Sequence, residues 1–312
     1  MRLASRLIIL MFTILSWKIT TSNYWKTKEP DMLNLMKMEI TRIFKSKYSY
    51  FIFFASLFTF LLTVGLVDYT SKNIDNFEEN VIETNVDDSN GVKVDVDKGE
   101  LEKLTDSGED FVISSFSQST YLIFLIIFGA LFFTNPYANG FVKNFLGMTK
   151  NKSSYIIATF ITASLFVIVS FAVGAGLLTI TGAYINNGML KFTNYPRLFF
   201  VLLIELVSHI SYLAVILLVA TITRSTAKTL MFTLLYPTIF FNLLRGLGDQ
   251  FLSLFINLPD DFSIANYVNI GNIISTNFAS TNADFTRSLI VAIIIGTIAL
   301  VSSSVIINKK DI

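Results

Sequence analysis

Glu205 and His209 stand one helical turn apart inside an otherwise apolar run at about 198 to 222, and Arg245 lies near the end of the next run, about 227 to 247. A carboxylate at that depth in hydrocarbon costs several kcal/mol unless it is paired, protonated or wetted, so it marks a functional position. Two readings follow. Glu205 pairs with Arg245 on an antiparallel neighbouring helix, helped by His209, as a strut near the outer end; or it is neutral, or snorkels to the headgroups. His209 is the single histidine and there is no cysteine. That excludes disulfides, Fe–S clusters, thiolate zinc and any metal centre built on two histidines, and no catalytic or metal-binding residue is assigned.

The elements that must hold these side chains are set by composition. Of 312 residues, 53% are hydrophobic and 15% charged, with a mean hydropathy of +0.60, against about 25% charged in an ordinary soluble domain. Acids and bases number 23 and 24, so the net charge of +1 gives no reason to expect a nucleic-acid partner. Crossing the hydrocarbon core takes about 20 apolar residues in a helix. Six runs qualify, at about 49 to 67, 113 to 134, 155 to 181, 198 to 222, 227 to 247 and 288 to 307. The fold expected is an all-α polytopic membrane protein. The third run exceeds one crossing and carries Gly174, Gly176 and Gly182, so it is expected to tilt or to loosen near its end.

Orientation follows from Lys and Arg in short loops. Nine bases and three acids precede the first run; Lys143, Lys150 and Lys152 follow the second, Arg224 and Lys228 the fourth, and Lys309 and Lys310 the last. Six crossings place all four stretches on one side, which makes both termini cytoplasmic, and the residue usage suggests a bacterial cell membrane. Residues 68 to 110 instead hold fourteen acids and four bases, a local net of −10. The acidic outer loop (68–112) reads as a solvated spacer or as a funnel for cations, with no spacing that fits a calcium loop.

Smaller segments complete the organisation. Residues 1–31 form an N-terminal extension whose Leu7 to Trp17 stretch is signal-like but lacks a small-x-small cleavage site; translation from Met32 or Met36 is the alternative. Over 32–48, Leu33, Met36, Ile40, Ile43 and Phe44 share one helical face, opposite Asn34, Lys37, Thr41 and Lys45, the pattern of a helix lying in the membrane interface. The six-span domain occupies 49–312. Within it, Ser170/Gly174, Ala172/Gly176 and Ala292/Gly296 allow close helix approach. Residues 249–285 read as two short helices broken at Pro259 that re-enter the outer leaflet.

Between the second and third runs, segment 135–154 presents Gly140, Phe141, Lys143, Asn144, Phe145 and Leu146: glycine-bounded, with an apolar bump backed by bases, suited to a socket in a partner. This Gly-x-x-Lys-Asn core followed by bases, together with the basic amphipathic helix before the first run, six spans and a large first outer loop, resembles type-2 ATP-binding-cassette (ABC) exporter permeases over residues 32 to 312. The resemblance implies that Leu33, Met36, Ile40 and Phe44 belong to an elbow helix and Gly140 to Leu146 to a coupling helix seated in a nucleotide-binding subunit. The chain has no Gly-x-x-x-x-Gly-Lys-Ser/Thr loop, so ATP and Mg would be held by a separate ABC ATPase and this chain would not be an enzyme. A second permease copy or related chain would complete the pathway, exporting a hydrophobic or amphipathic cargo such as an antimicrobial peptide. The rival expectations are a non-transporting sensor or scaffold and a proton-coupled secondary transporter with Glu205 as carrier.

Overall fold

The structure, a computed structural model, describes residues 32–72, 107–117, 120–141, 152–185, 190–255 and 262–309. Its helices are α1 (Met32–Lys45), α2 (Lys47–Lys72), α3 (Gly108–Ser117), α4 (Thr120–Ala138), α5 (Lys152–Ile185), α6 (Tyr195–Thr223), α7 (Thr226–Ser253), α8 (Asn269–Ser275) and α9 (Asn282–Lys309). The expected extension 1–31 and most of the acidic loop lie outside the described residues. Six stretches are long and apolar enough to cross a membrane: α2, α3 with α4, α5, α6, α7 and α9. The chain has the fold of an all-α, multi-pass membrane protein.

Lipid offers no partner to a backbone group, which is why every apolar run becomes helix. Hydroxyls inside the spans obey the same constraint: those of Thr59, Thr63, Thr134, Thr179, Thr221, Thr233 and Ser303 each donate to the carbonyl four residues back. The alternating topology shows in the contacts at the two ends. At one end, the basic face, Arg42 meets Phe132, Thr134 meets Thr226 and Asn308 meets Ser153. At the other, Glu109 meets Thr193 and Asn194, and Arg197 meets Phe278 and Ser280.

α6 is the hub. It packs on α9, α4, α5, α8 and α3, and its start is fixed by Asn194, whose side chain accepts from the Arg197 amide, and by Pro196 in the first turn. Of the two expectations for the third run, loosening is not seen: α5 stays helical for all 34 residues, about 50 Å at 1.5 Å per residue. Gly174 does not loosen it but admits a neighbour, since a Cβ there would lie 2.6 Å from the Phe60 ring of α2. Gly296 likewise faces Ser211, whereas Gly176 faces open space, so the Ala172/Gly176 pair is no seam within this chain.

α7 changes character along its length. After Leu235 come two π-helical turns, Tyr236–Phe240 and Leu244–Gly248. The first contains Pro237, which has no N–H and cannot continue an ordinary ladder. Residues 249–285 are corrected accordingly. Asp249–Ser253 continues α7 instead of forming a separate helix, and Pro259 lies outside the described residues. Ile264–Tyr267 is a 3₁₀ turn followed by α8, whose Asn269 to Ile273 are buried against the bundle, not spread in lipid. Gly271 abuts the Ala265 carbonyl so closely that any side chain would collide with backbone. The acidic loop also ends earlier than expected, because Glu109, Phe111 and Val112 are buried in α3.

Candidate functional site: two acid–base pairs and an uncovered span

On α6, Glu205 and His209 are wholly buried. His209 Nδ1 lies 2.8 Å from the Glu205 carbonyl oxygen and 3.6 Å from Glu205 Oε2. The carbonyl can only accept, so Nδ1 carries the hydrogen and Nε2 is the free lone pair. Neither carboxyl oxygen of Glu205, nor His209 Nε2, has a hydrogen-bond partner in the protein. The imidazole is boxed by Tyr121 and Phe171, with ring centroids at 5.3 and 5.8 Å, and the Tyr121 hydroxyl is bonded to Ser170 at 2.6 Å. Close by on the same helix, the amide of Asn269 on α8 engages Ser211 at 3.0 Å.

The expected Glu205–Arg245 strut is not formed. Arg245 sits exposed on the second π turn of α7. α7 packs on α4 and α6 over Thr226–Leu235; beyond that, Phe241 is the one buried residue of its helical turns, directed at Gly271. A fifth span that leaves α6 cannot hold its guanidinium against Glu205.

The second pair is on α1. Its buried stripe is Leu35, Glu39 and Ile43, turned about 100° from the face expected by periodicity. Leu33 is exposed, and Met36, Ile40 and Phe44 are half-buried along the flank. Glu39 has no exposure. Arg42 straddles it, Nη2 lying 2.6 Å from Oε2 and Nη1 3.2 Å from Oε1. The same guanidinium reaches span two, with Nη2 donating to the Phe132 carbonyl at 3.1 Å and its carbon 4.0 Å above the Phe132 ring centre. The reason this carbonyl is open is covalent: Pro136, four residues on, has no N–H to bond it. Tyr155, at the start of span three, hydrogen-bonds to Arg42 as well. Burial pushes the Glu39 carboxyl up to about 7, outweighing the pull of the Arg42 charge.

Of the proposed coupling residues, Gly140 is described and sits at φ +67°, the left-handed turn that ends α4, and Phe141 is exposed beside it. Lys143, Asn144, Phe145 and Leu146 lie outside the described residues. Sequence reasoning missed the Arg42 clasp, the Tyr121–Ser170 bond and the burial of Asn269; the one available signal was Glu39, the lone acid of an otherwise basic helix.

Across α7, Thr238, Asn242 and Arg245 are exposed among Ile239, Phe240, Leu243 and Leu247, a polar stripe on the least covered span, of which 11% is buried. Among the described residues no group of three or more His, Cys, Asp or Glu could hold a metal ion. The chain matches no model of a known protein family, and no curated protein matches it.

Proposed function

We propose that this chain is the membrane-spanning half of an ABC exporter, moving a hydrophobic or amphipathic cargo outward with ATP and Mg handled by a separate ATPase subunit. The observation that carries the reading is the Arg42 clasp. One side chain ties α1 to the last turns of span two and the first turn of span three, the two ends of segment 135–154. A partner pushing on that segment would therefore move the elbow and two spans as one body, a rigid-body switch. The polar stripe on α7 supports a second permease half, because Asn242 and Arg245 facing lipid would be costly, whereas a facing copy or a shared pathway would cover them. The basic face of the bundle, with Lys37, Lys45, Lys47, Lys152, Arg224, Lys228 and Lys309, is assigned to the cytoplasm by the charge rule.

The test is co-purification. Full-length chain isolated from its native membrane should bring down a nucleotide-hydrolysing subunit, and Phe141→Ala with Phe145→Ala should release it while the permease stays folded. Isolation with no ATPase companion, or labelling of Lys143 from outside intact cells, would overturn the reading.

A further inference from the structure

We propose that Glu205 and His209 form a proton-binding site at the heart of the bundle, loaded in the closed arrangement seen here and emptied when a rearrangement lets water reach it. The proposal is independent of any ATPase. Glu205 and His209 are the only acidic or basic side chains within the apolar lengths of α2, α4, α5, α6 and α9. Elsewhere on α6 and the elements packed against it, charge is confined to the ends: Glu109, Asp110, Arg197, Arg245, Asp249, Asp284 and Arg287 at one face, Lys152, Arg224, Lys228 and Lys309 at the other. Neither α4 nor α8 carries any charged residue. The titratable group facing the pair is Tyr121.

With no counter-charge in reach, the pair must be neutral overall, which means one proton beyond the Nδ1 hydrogen. It can sit on the carboxyl or, as an imidazolium–carboxylate pair, on Nε2. The second form sets two opposite charges in an apolar interior at 3.6 Å, with no hydrogen bond to either carboxylate oxygen, so the carboxyl holds it. On release, the proton passes from the carboxyl oxygen to water and the pair is left with one negative charge.

The route for that water would open beside Tyr121. A narrow cleft between α2, α4 and α5 is lined by Ser56, Tyr121 and Ser170 among apolar side chains. Tyr121 belongs to both places: its hydroxyl bonds Ser170 at the cleft and its ring packs on His209. Displacing that ring joins the cleft to the pair.

The experiment is infrared difference spectroscopy of the full chain in lipid nanodiscs at neutral pH. The wild type should show a carboxylic-acid carbonyl stretch that is absent from Glu205→Gln. Tyr121→Phe, which keeps the ring, should retain that band; Tyr121→Ala, which opens the route, should lose it. A wild-type spectrum identical to that of Glu205→Gln overturns the proposal whatever the tyrosine variants do, and a band indifferent to Tyr121→Ala overturns the water-access step. If Tyr121→Ala does not fold, Ser170→Ala, which leaves the Tyr121 hydroxyl only its longer 3.2 Å bond to the Val167 carbonyl, should speed deuterium exchange of the band; unchanged exchange is the contrary result. Failure here leaves the permease reading intact, and absence of an ATPase leaves this site intact.

Discussion

The molecule contains the same local device twice. On α1 and again on α6, a wholly buried glutamate is followed one turn later by a base. On α1 the base is arginine, always charged, and it does three jobs at once: it faces the carboxylate, caps the carbonyl that Pro136 leaves open and covers the Phe132 ring. On α6 the base is histidine, whose only hydrogen bond returns to the Glu205 carbonyl of its own helix. The first arrangement fixes a position, because guanidinium and carboxylate are useful to each other only in one geometry. The second fixes a proton count and leaves geometry free. A buried acid is thus not one kind of feature; its neighbour decides whether it is a fastener or a reservoir.

Breaking the fastener should be the larger perturbation. Arg42→Ala removes the Phe132 cap and strands Glu39, with an expected loss of about 3 kcal/mol, near the low end for a broken buried pair because Glu39 can take up a proton. Thermal unfolding in nanodiscs reads it as a lowered Tm. Next in size is a pH effect. Glu39 binds its proton more tightly folded, at about 7, than unfolded, near 4.5. Its contribution is therefore whole below about pH 4.5 and is lost as pH rises through about 7, a fall of at most about 3 kcal/mol. Glu39→Gln should flatten the Tm profile across that window. Glu205→Gln should cost less than about 1 kcal/mol, since an amide replaces an acid that is already neutral; a Tm drop as large as that of Arg42→Ala would erase the contrast. Smallest is Pro136→Ala, which returns an N–H to the Phe132 carbonyl and makes Arg42 redundant there. Its stability should stay within about 0.5 kcal/mol of wild type, while the extra loss on adding Arg42→Ala should shrink, as a double-mutant cycle would show.

The six spans were legible in the sequence because lipid leaves an apolar run no alternative to helix. The existence of α1 was legible for the related reason that its composition is amphipathic. Its orientation was not: periodicity ranks Leu33 and Phe44 above Glu39, and nothing local reveals that Arg42 will make Glu39 burial tolerable, since that depends on Pro136, far along the chain. The Glu205–Arg245 strut failed on a similar point. Antiparallel neighbours were inferred from a short loop, and they do meet over Thr226–Leu235, but the π turns that carry Arg245 away are written only faintly, in Pro237, Gly246 and Gly248. In the segment 249–285 the mixture of polar and apolar residues was read as a leaflet helix, when Asn269 and Asn272 are polar because they bond inside the bundle.

The π turn at Tyr236–Phe240 has a mechanical corollary. A π turn holds one residue more than the α-helical ladder around it would accept, so everything beyond it is phased by that surplus. Excising a single residue there would relax the helix and swing Asn242 and Arg245 around the axis by about 100°, turning the polar stripe to a different compass bearing without altering a side chain.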